Sequence, residues 1–235
     1  MNHRIGMRMV VRCILLILAA SVIAGCISVR EGKLDEALFP RSGASADGGL
    51  SAPIAVVADA ALTQFKFESS RRLSNSLSYK LVIPIGHIVE AAAVAALTDE
   101  FGDSVAEYPS SEAASEAARS VAPLTLVALR PAQFELHNES LPLPTPFMVI
   151  PISTRQGVRL IVDWSVLDTD GRLRWTKRYD SGDVKLPFEK HDERDFYKEN
   201  PYVRLAHKVA YELMREAARD LRAWAESERL RERAL

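Results

Sequence analysis

The hydrophobic positions change spacing along the chain, and each spacing predicts a different element. Cys13 to Ala24 is an almost unbroken apolar run behind Arg4, Arg8 and Arg12. A membrane-spanning helix needs about 20 such residues, and this run is shorter. A basic lead, a short apolar run and the small residues Ala24 and Gly25 together have the layout of a secretory signal over residues 1–25. Residues 41–51 (RSGASADGGLS) show no period. Such a stretch buries too little apolar surface to offset its ordering entropy, so residues 26–52 read as a flexible tether. A coil of about 25 residues reaches roughly 25–30 Å.

Order is expected from Pro53. Residues 54–57 are an apolar run that predicts a strand, and Leu62, Phe65 and Phe67 mark a further extended candidate. Residues 71–78 are polar and serine-rich, as for a loop, and residues 79–84 predict a strand stopped by Pro84. Ile88, Val89, Ala92, Ala96, Leu97 and Phe101 fall at helical spacing, which predicts a helix over 86–103 ended by Gly102. A short strand over 104–108 follows. Residues 110–122 form a weaker helix, capped by Ser110 or Ser111, whose alanine-rich face suits a mobile flap.

Leu124, Leu126, Ala128, Phe134 and Leu136 alternate, with Pro131 implying a bulge or an edge position. Pro142, Pro144 and Pro146 then imply a stiff, extended connector, and residues 147–152 a strand or an apolar loop. Val158, Leu160, Val162, Trp164 and Val166 share one face of a strand. Residues 168–171 supply a turn, and Leu173, Trp175 and Tyr179 put the return strand's apolar face on the core. After the charged residues 182–201, Pro201 opens a helix whose stripe runs Ala206, Val209, Ala210, Leu213, Ala217, Leu221, Trp224.

This order predicts one α/β (α+β) domain over 53–225, with a mixed, mostly antiparallel sheet and two main helices packed on one face. Residues 226–235 are expected to be a charged helical tail that projects or frays.

Charge narrows the function classes. The whole chain carries −1, and losing the three signal arginines takes it to −4, against a nucleic-acid partner, which usually meets a basic stripe. Of the two cysteines, Cys13 lies in the signal. With Cys26 modified, no thiol remains for a disulfide, a nucleophile or a metal site.

Ala24-Gly25 directly before Cys26, behind Val22-Ile23, resembles the lipobox of bacterial lipoproteins. That resemblance implies that Cys26 becomes the mature N-terminus and carries three acyl chains. One chain alone binds a membrane marginally; three make the anchor effectively permanent. Ile27 stands where an aspartate retains enterobacterial lipoproteins in the inner membrane, which implies the periplasmic face of the outer membrane. A second resemblance covers residues 54–224. Ile85-Gly86 at the first long helix, residues 164–172 with Trp175, and residues 206–221 are similar to YajG-like lipoproteins and to auxiliary lipoproteins of ABC-type envelope transporters. The proline segment 141–146 and the charged tail depart from that pattern. The resemblance implies a compact α/β domain with no catalytic residues to carry over.

Candidate chemistry is sparse. Asp168-Thr169-Asp170-Gly171 is like the start of a calcium loop but lacks its later ligands and its bidentate glutamate, so a hairpin turn is expected. His191, Asp192, Glu193 and Asp195 lack a metal-binding helical spacing, and Lys190 and Arg194 oppose a cation. No metal or other cofactor is expected. His207, beside the last helix's stripe, is expected to be partly buried and hydrogen-bonded, and His87 solvated. Neither a Gly-x-Ser-x-Gly elbow nor a phosphate-cradling glycine loop occurs.

The binding candidates are Leu141, Leu143, Phe147 and Met148 on or beside the connector, where a pre-extended segment loses less entropy on docking. Phe196, Tyr197 and Tyr202 flank the charged segment, and aromatics are favoured at interfaces. The expected function is a non-enzymatic accessory lipoprotein docking an envelope protein complex, such as a transporter. The alternatives are a carrier that shelters an apolar ligand between helices and sheet, and an envelope hydrolase with residues assembled from distant positions.

Overall fold

The structure, a computed structural model, describes residues 27–31, 34, 39, 53–72, 78–102, 105–118, 125–144, 149–185 and 201–233. The chain divides into two compact units, residues 1–31 with 68–82, and residues 32–67 with 83–235. The predicted signal and Cys26 lie outside the described residues.

The smaller unit is built on three strands, β1 (Ile27–Glu31), β3 (Phe67–Arg72) and β4 (Ser78–Ile83), in the order β1-β4-β3. β1 and β4 are parallel, with Ile27 opposite Ser78 and Glu31 opposite Val82. Lys80 Nζ lies 2.5 Å from Glu68 Oε2 across the sheet. Two expectations change here. The stretch read as a tether contains a strand, and Arg71, Arg72 and Ser78 of the expected loop lie in strands, while residues 73–77 lie outside the described residues. Neither pairing leaves a local trace in sequence, because a backbone ladder needs no apolar period.

The larger unit holds the mixed α/β domain that the pattern predicts. Its sheet runs β5 (Val105–Tyr108), β2 (Ile54–Val57), β6 (Thr125–Pro144), β7 (Val149–Leu167), β8 (Leu173–Asp180), with β9 (Val184–Lys185) also paired to β7. β5, β2 and β6 are parallel; β6, β7 and β8 are antiparallel. The helices are α1 (Ala60–Thr63), α2 (Ile85–Phe101), α3 (Ser111–Ala118) and α4 (Pro201–Arg233). From β2 the chain crosses to β5 on one side, then returns past β2 to β6 on the other. Right-handed crossovers in opposite directions put α2 and α3 on opposite faces. Burial agrees: β2 is buried on both faces, and its Ala55 and Val57 cluster with Ala114 of α3 and Leu126. The weak helix is thus pinned by Ala114 rather than free as a flap. Ser110 Oγ accepts from Ala113 N–H at 3.2 Å and caps it.

On the other face, α2 and α4 pack together, with α4 also against β7. Val158, Leu160, Val162, Trp164, Val166 and Tyr179 are all buried there, as the period-two alternation predicts. Each such side chain contributes about 1.5–3 kcal/mol by leaving water. Leu173 is a correction, since it is 59 % exposed at the start of β8. The register shift between Val166 and Leu167 takes it out of step with the core face.

The extended candidate at Leu62 is instead one turn of helix. Asp59 Oδ1 accepts from Leu62 N–H at 2.8 Å, and the buried Leu62 packs inward. Gly86 is required nearby: a Cβ there would lie 1.7 Å from the Leu62 carbonyl oxygen. Gly102, at φ 76°, ends α2 as expected. α4 continues through the charged tail to Arg233, as expected of a helical tail, and Arg231 donates to Glu228 at 2.8 Å within that last part.

Candidate functional site

β6 and β7 form one long hairpin. Its base is flanked by β2 along residues 125–128 and by β8 and β9 along residues 157–167. Pro131 sits at a register shift, as its missing N–H predicts. Beyond His137 and Gly157 the pairing continues from Asn138↔Gln156 to Pro144↔Val149. No third strand pairs with this part among the described residues. At about 3.4 Å per residue it makes a two-stranded arm some 24 Å long.

The arm corrects the expectation of a proline connector. Residues 141–144 are strand, not linker, and the reason lies in the spacing of the prolines. Residues two apart in a strand point their N–H groups to the same side, so Pro142 and Pro144 lack donors on the same edge. Pro142 stands opposite Pro151. A facing pair of prolines can exchange no hydrogen bonds, so it occupies a non-hydrogen-bonded position. Pairing with β7 therefore resumes past a register shift between Leu141 and Pro142, and the gaps face outward. Leu141 is opposite Ser153, Leu143 opposite Ile150, and residues 149–152 form a strand. Phe147 and Met148 lie outside the described residues, as do Phe196 and Tyr197.

Tyr202 is a second correction. It is 2 % exposed in the first turn of α4 and belongs to the core, not to an interface. Pro201 starts the helix one residue earlier, which turns position 202 inward with Ala206 and Val209. His207 is fully buried, and its Nδ1 lies 2.8 Å from the Val203 carbonyl, to which a ring nitrogen must donate. Phe39, within the expected tether, is 5 % exposed, with its ring 5.5 Å from His207 and 5.9 Å from Tyr211. Sequence reasoning missed it because the segment around it has no period.

Past the region beneath α3, the second face of the sheet carries paired charges. Arg178 donates to both carboxylate oxygens of Asp163, at 2.6 and 2.8 Å, and Arg159 to both of Asp180. At the β8 edge, Lys177 and Tyr179 both donate to Asp220 of α4, the tyrosine at 2.9 Å. Trp175 stacks on Trp224 at 6.3 Å. These contacts clamp the edge strand to the last helix.

The electrostatics follow from these contacts. Arg159 and the Gly182 N–H hold the Asp180 carboxyl at about 2. Burial raises the Tyr179 hydroxyl well above its ordinary range, and Asp220 adds to it. Burial and the Asp99 hydrogen bond push Tyr211 up to about 12. Burial opposes ionisation of Asp220, yet the hydrogen bonds from Lys177 and Tyr179 outweigh it and lower its value. All four move away from neutrality. A general acid or base works best with a value near the operating pH; these shifts instead favour fixed charge states. The Asp168 carboxylate accepts from the N–H groups of Asp170 and Arg172, at 3.0 and 2.8 Å, which ties up the hairpin turn.

Among the described residues, no helix is long and apolar enough to cross a membrane. No family model and no curated protein matches the chain. Among solved structures, a Xanthomonas campestris protein of family DUF330 is similar at 12 % identity and TM-score 0.41, over 88 % of this chain and 99 % of that one. A PelC dodecamer from Paraburkholderia phytofirmans aligns at 15 % identity and TM-score 0.35, over 70 % and 84 %. A Caulobacter crescentus protein assigned as a lipoprotein aligns at 16 % identity and TM-score 0.36, over 61 % and 85 %. At these scores none of the three fixes a family, an activity or a partner.

Proposed function

We propose that the chain is a lipid-anchored accessory protein of the bacterial envelope that docks a partner complex through the β6–β7 arm and carries out no chemistry itself. The lipobox-like end of the signal supports the anchor at Cys26, and Ile27 directly after it supports the outer-membrane address. The observation that carries docking is the arm, residues 138–144 paired with 149–156 and flanked by no other strand among the described residues. An isolated two-stranded ribbon is marginally stable in water, so its length adds little to the fold and is consistent with a surface held out for a partner. The prolines narrow the mode of recognition. An edge without donors at Pro142 and Pro144 is a poor template for strand addition, so recognition falls to side chains such as Leu141 and Leu143.

A photo-crosslinking residue at Leu143 in growing cells tests this reading, with one at Thr169 in the β7–β8 turn as comparison. A discrete adduct is expected from Leu143 alone, and it should be lost in Cys26→Ser. Equal labelling from both positions would remove the arm from the docking surface. The carrier reading gains no support on the helix side of the sheet, where Ile54, Leu97, Leu129, Leu160 and Trp164 are each at most 1 % exposed and offer no open apolar mouth.

A further inference from the structure

We infer that the three-stranded unit is a platform held against lipid headgroups, with no slack between the anchor and the first strand. The inference rests on the reading of Cys26 as the acylated residue. β1 begins at Ile27, the residue after it. Consecutive Cα atoms are 3.8 Å apart, and paired strands about 4.8 Å. Ile27 pairs with Ser78, so the start of β4 lies within roughly 9 Å of the anchoring Cα. The interfacial layer on each side of a bilayer is roughly 5–7 Å deep. A coil of 25 residues would instead allow roughly 25–30 Å. The strand at 27–31 removes that freedom for this unit.

Direction follows from the register. β1 and β4 are parallel, so both begin at the anchor end. Four residue steps of about 3.3 Å carry Glu31 and Val82 roughly 13 Å further along the strands. The sheet therefore stands with its Ile27/Ser78 end at the headgroups. Charge permits an anionic surface. The three strands carry Arg30, Arg71, Arg72 and Lys80 against Glu31 and Glu68, with Lys80 paired to Glu68, so the unit as a whole keeps a small basic excess in an otherwise acidic mature chain. Anionic leaflets attract such local clusters even when the whole protein is acidic.

The test uses the full lipidated protein in vesicles of phosphatidylethanolamine and phosphatidylglycerol. With the Cys26 sulfur acylated, the mature chain has no free thiol, so a single introduced cysteine takes a bimane label cleanly. Ser78→Cys reports the anchor end of the sheet and Glu31→Cys the far end; Ser28→Cys replaces Ser78→Cys if that variant misfolds. A lipid carrying a headgroup nitroxide should quench the Ser78 label several-fold more than the Glu31 label. A long Gly/Ser insertion directly after Cys26 should abolish that difference. Equal, water-like quenching at both positions in protein that still floats with the vesicles overturns the platform and leaves the anchor intact. Wild-type protein that does not float, or Cys26→Ser that floats unchanged, overturns the anchor reading instead.

Discussion

The base and the arm of the β6–β7 hairpin are the same two strands under opposite constraints. In the base, β7 alternates buried and half-buried positions with a strand on either side, and Trp164 is fully enclosed beneath the helices. In the arm, no flanking strand is found among the described residues, and prolines stand where the outer edge would offer donors. The base must satisfy every backbone group and fill every space; the arm must only stay paired with itself. Stability therefore resides in the base, and the arm's sequence is the less constrained of the two.

The sharpest way to break this contrast is Trp164→Ala. It should cost about 3–5 kcal/mol as a large core truncation, read as a fall in the urea midpoint. Trp164→Phe should cost markedly less than its lost area implies. Among the described residues the indole Nε1 has no hydrogen-bond partner, and removing an unpaired buried donor offsets part of the loss. A Phe variant as unstable as the Ala variant would show that the indole is satisfied.

A smaller effect is expected at the junction of base and arm. A Cβ on Gly157 would lie 2.6 Å from Asp183 Oδ1, the end of a side chain that can turn away. Gly157→Ala should therefore cost no more than about 1 kcal/mol. Asp180 gives the pH dependence. Its folded value, held at about 2 chiefly by Arg159, lies below the unfolded carboxylate value of about 3.9. Its contribution is therefore present above that range and disappears as pH falls from about 4 to about 2. The urea midpoint of Asp180→Asn should fall less steeply than wild type across that window, and parallel curves would argue against the pairing. The smallest effect belongs to the arm. Replacing residues 138–156 with a short turn should leave cooperative unfolding almost unchanged. In the intact protein, arm amides should exchange with opening free energies near zero while base amides approach the global value. Protection of the arm equal to that of the base would sink the comparison.

The base was legible because burial writes itself into alternation. Val158 to Val166, the turn at Asp168 and the stripe on α4 all follow from one-sided burial. The arm was not legible, because prolines normally argue against a strand, and only the opposite register of Pro142 and Pro151 shows how they are tolerated. β1 left no signal either, since its partner lies about fifty residues away and parallel pairing constrains side chains weakly. Tyr202 misled because an aromatic beside charged residues reads as an interface until the helix start turns it inward. Among the candidate binding residues, Leu141 and Leu143 are placed on the arm by the backbone, whereas Phe39 and the Asp220 clamp emerged only from three-dimensional contacts.

The facing prolines have a consequence for crowding. On the proposed anchoring at Cys26, copies confined to one leaflet would meet far more often than in solution, and a bare ribbon on each would template the next into a growing fibre. Imino positions at 142, 144 and 151 break the row of donors that such growth needs. Copies can thus stand shoulder to shoulder without polymerising, and replacing the three prolines with threonine should be the quickest route to insoluble assemblies.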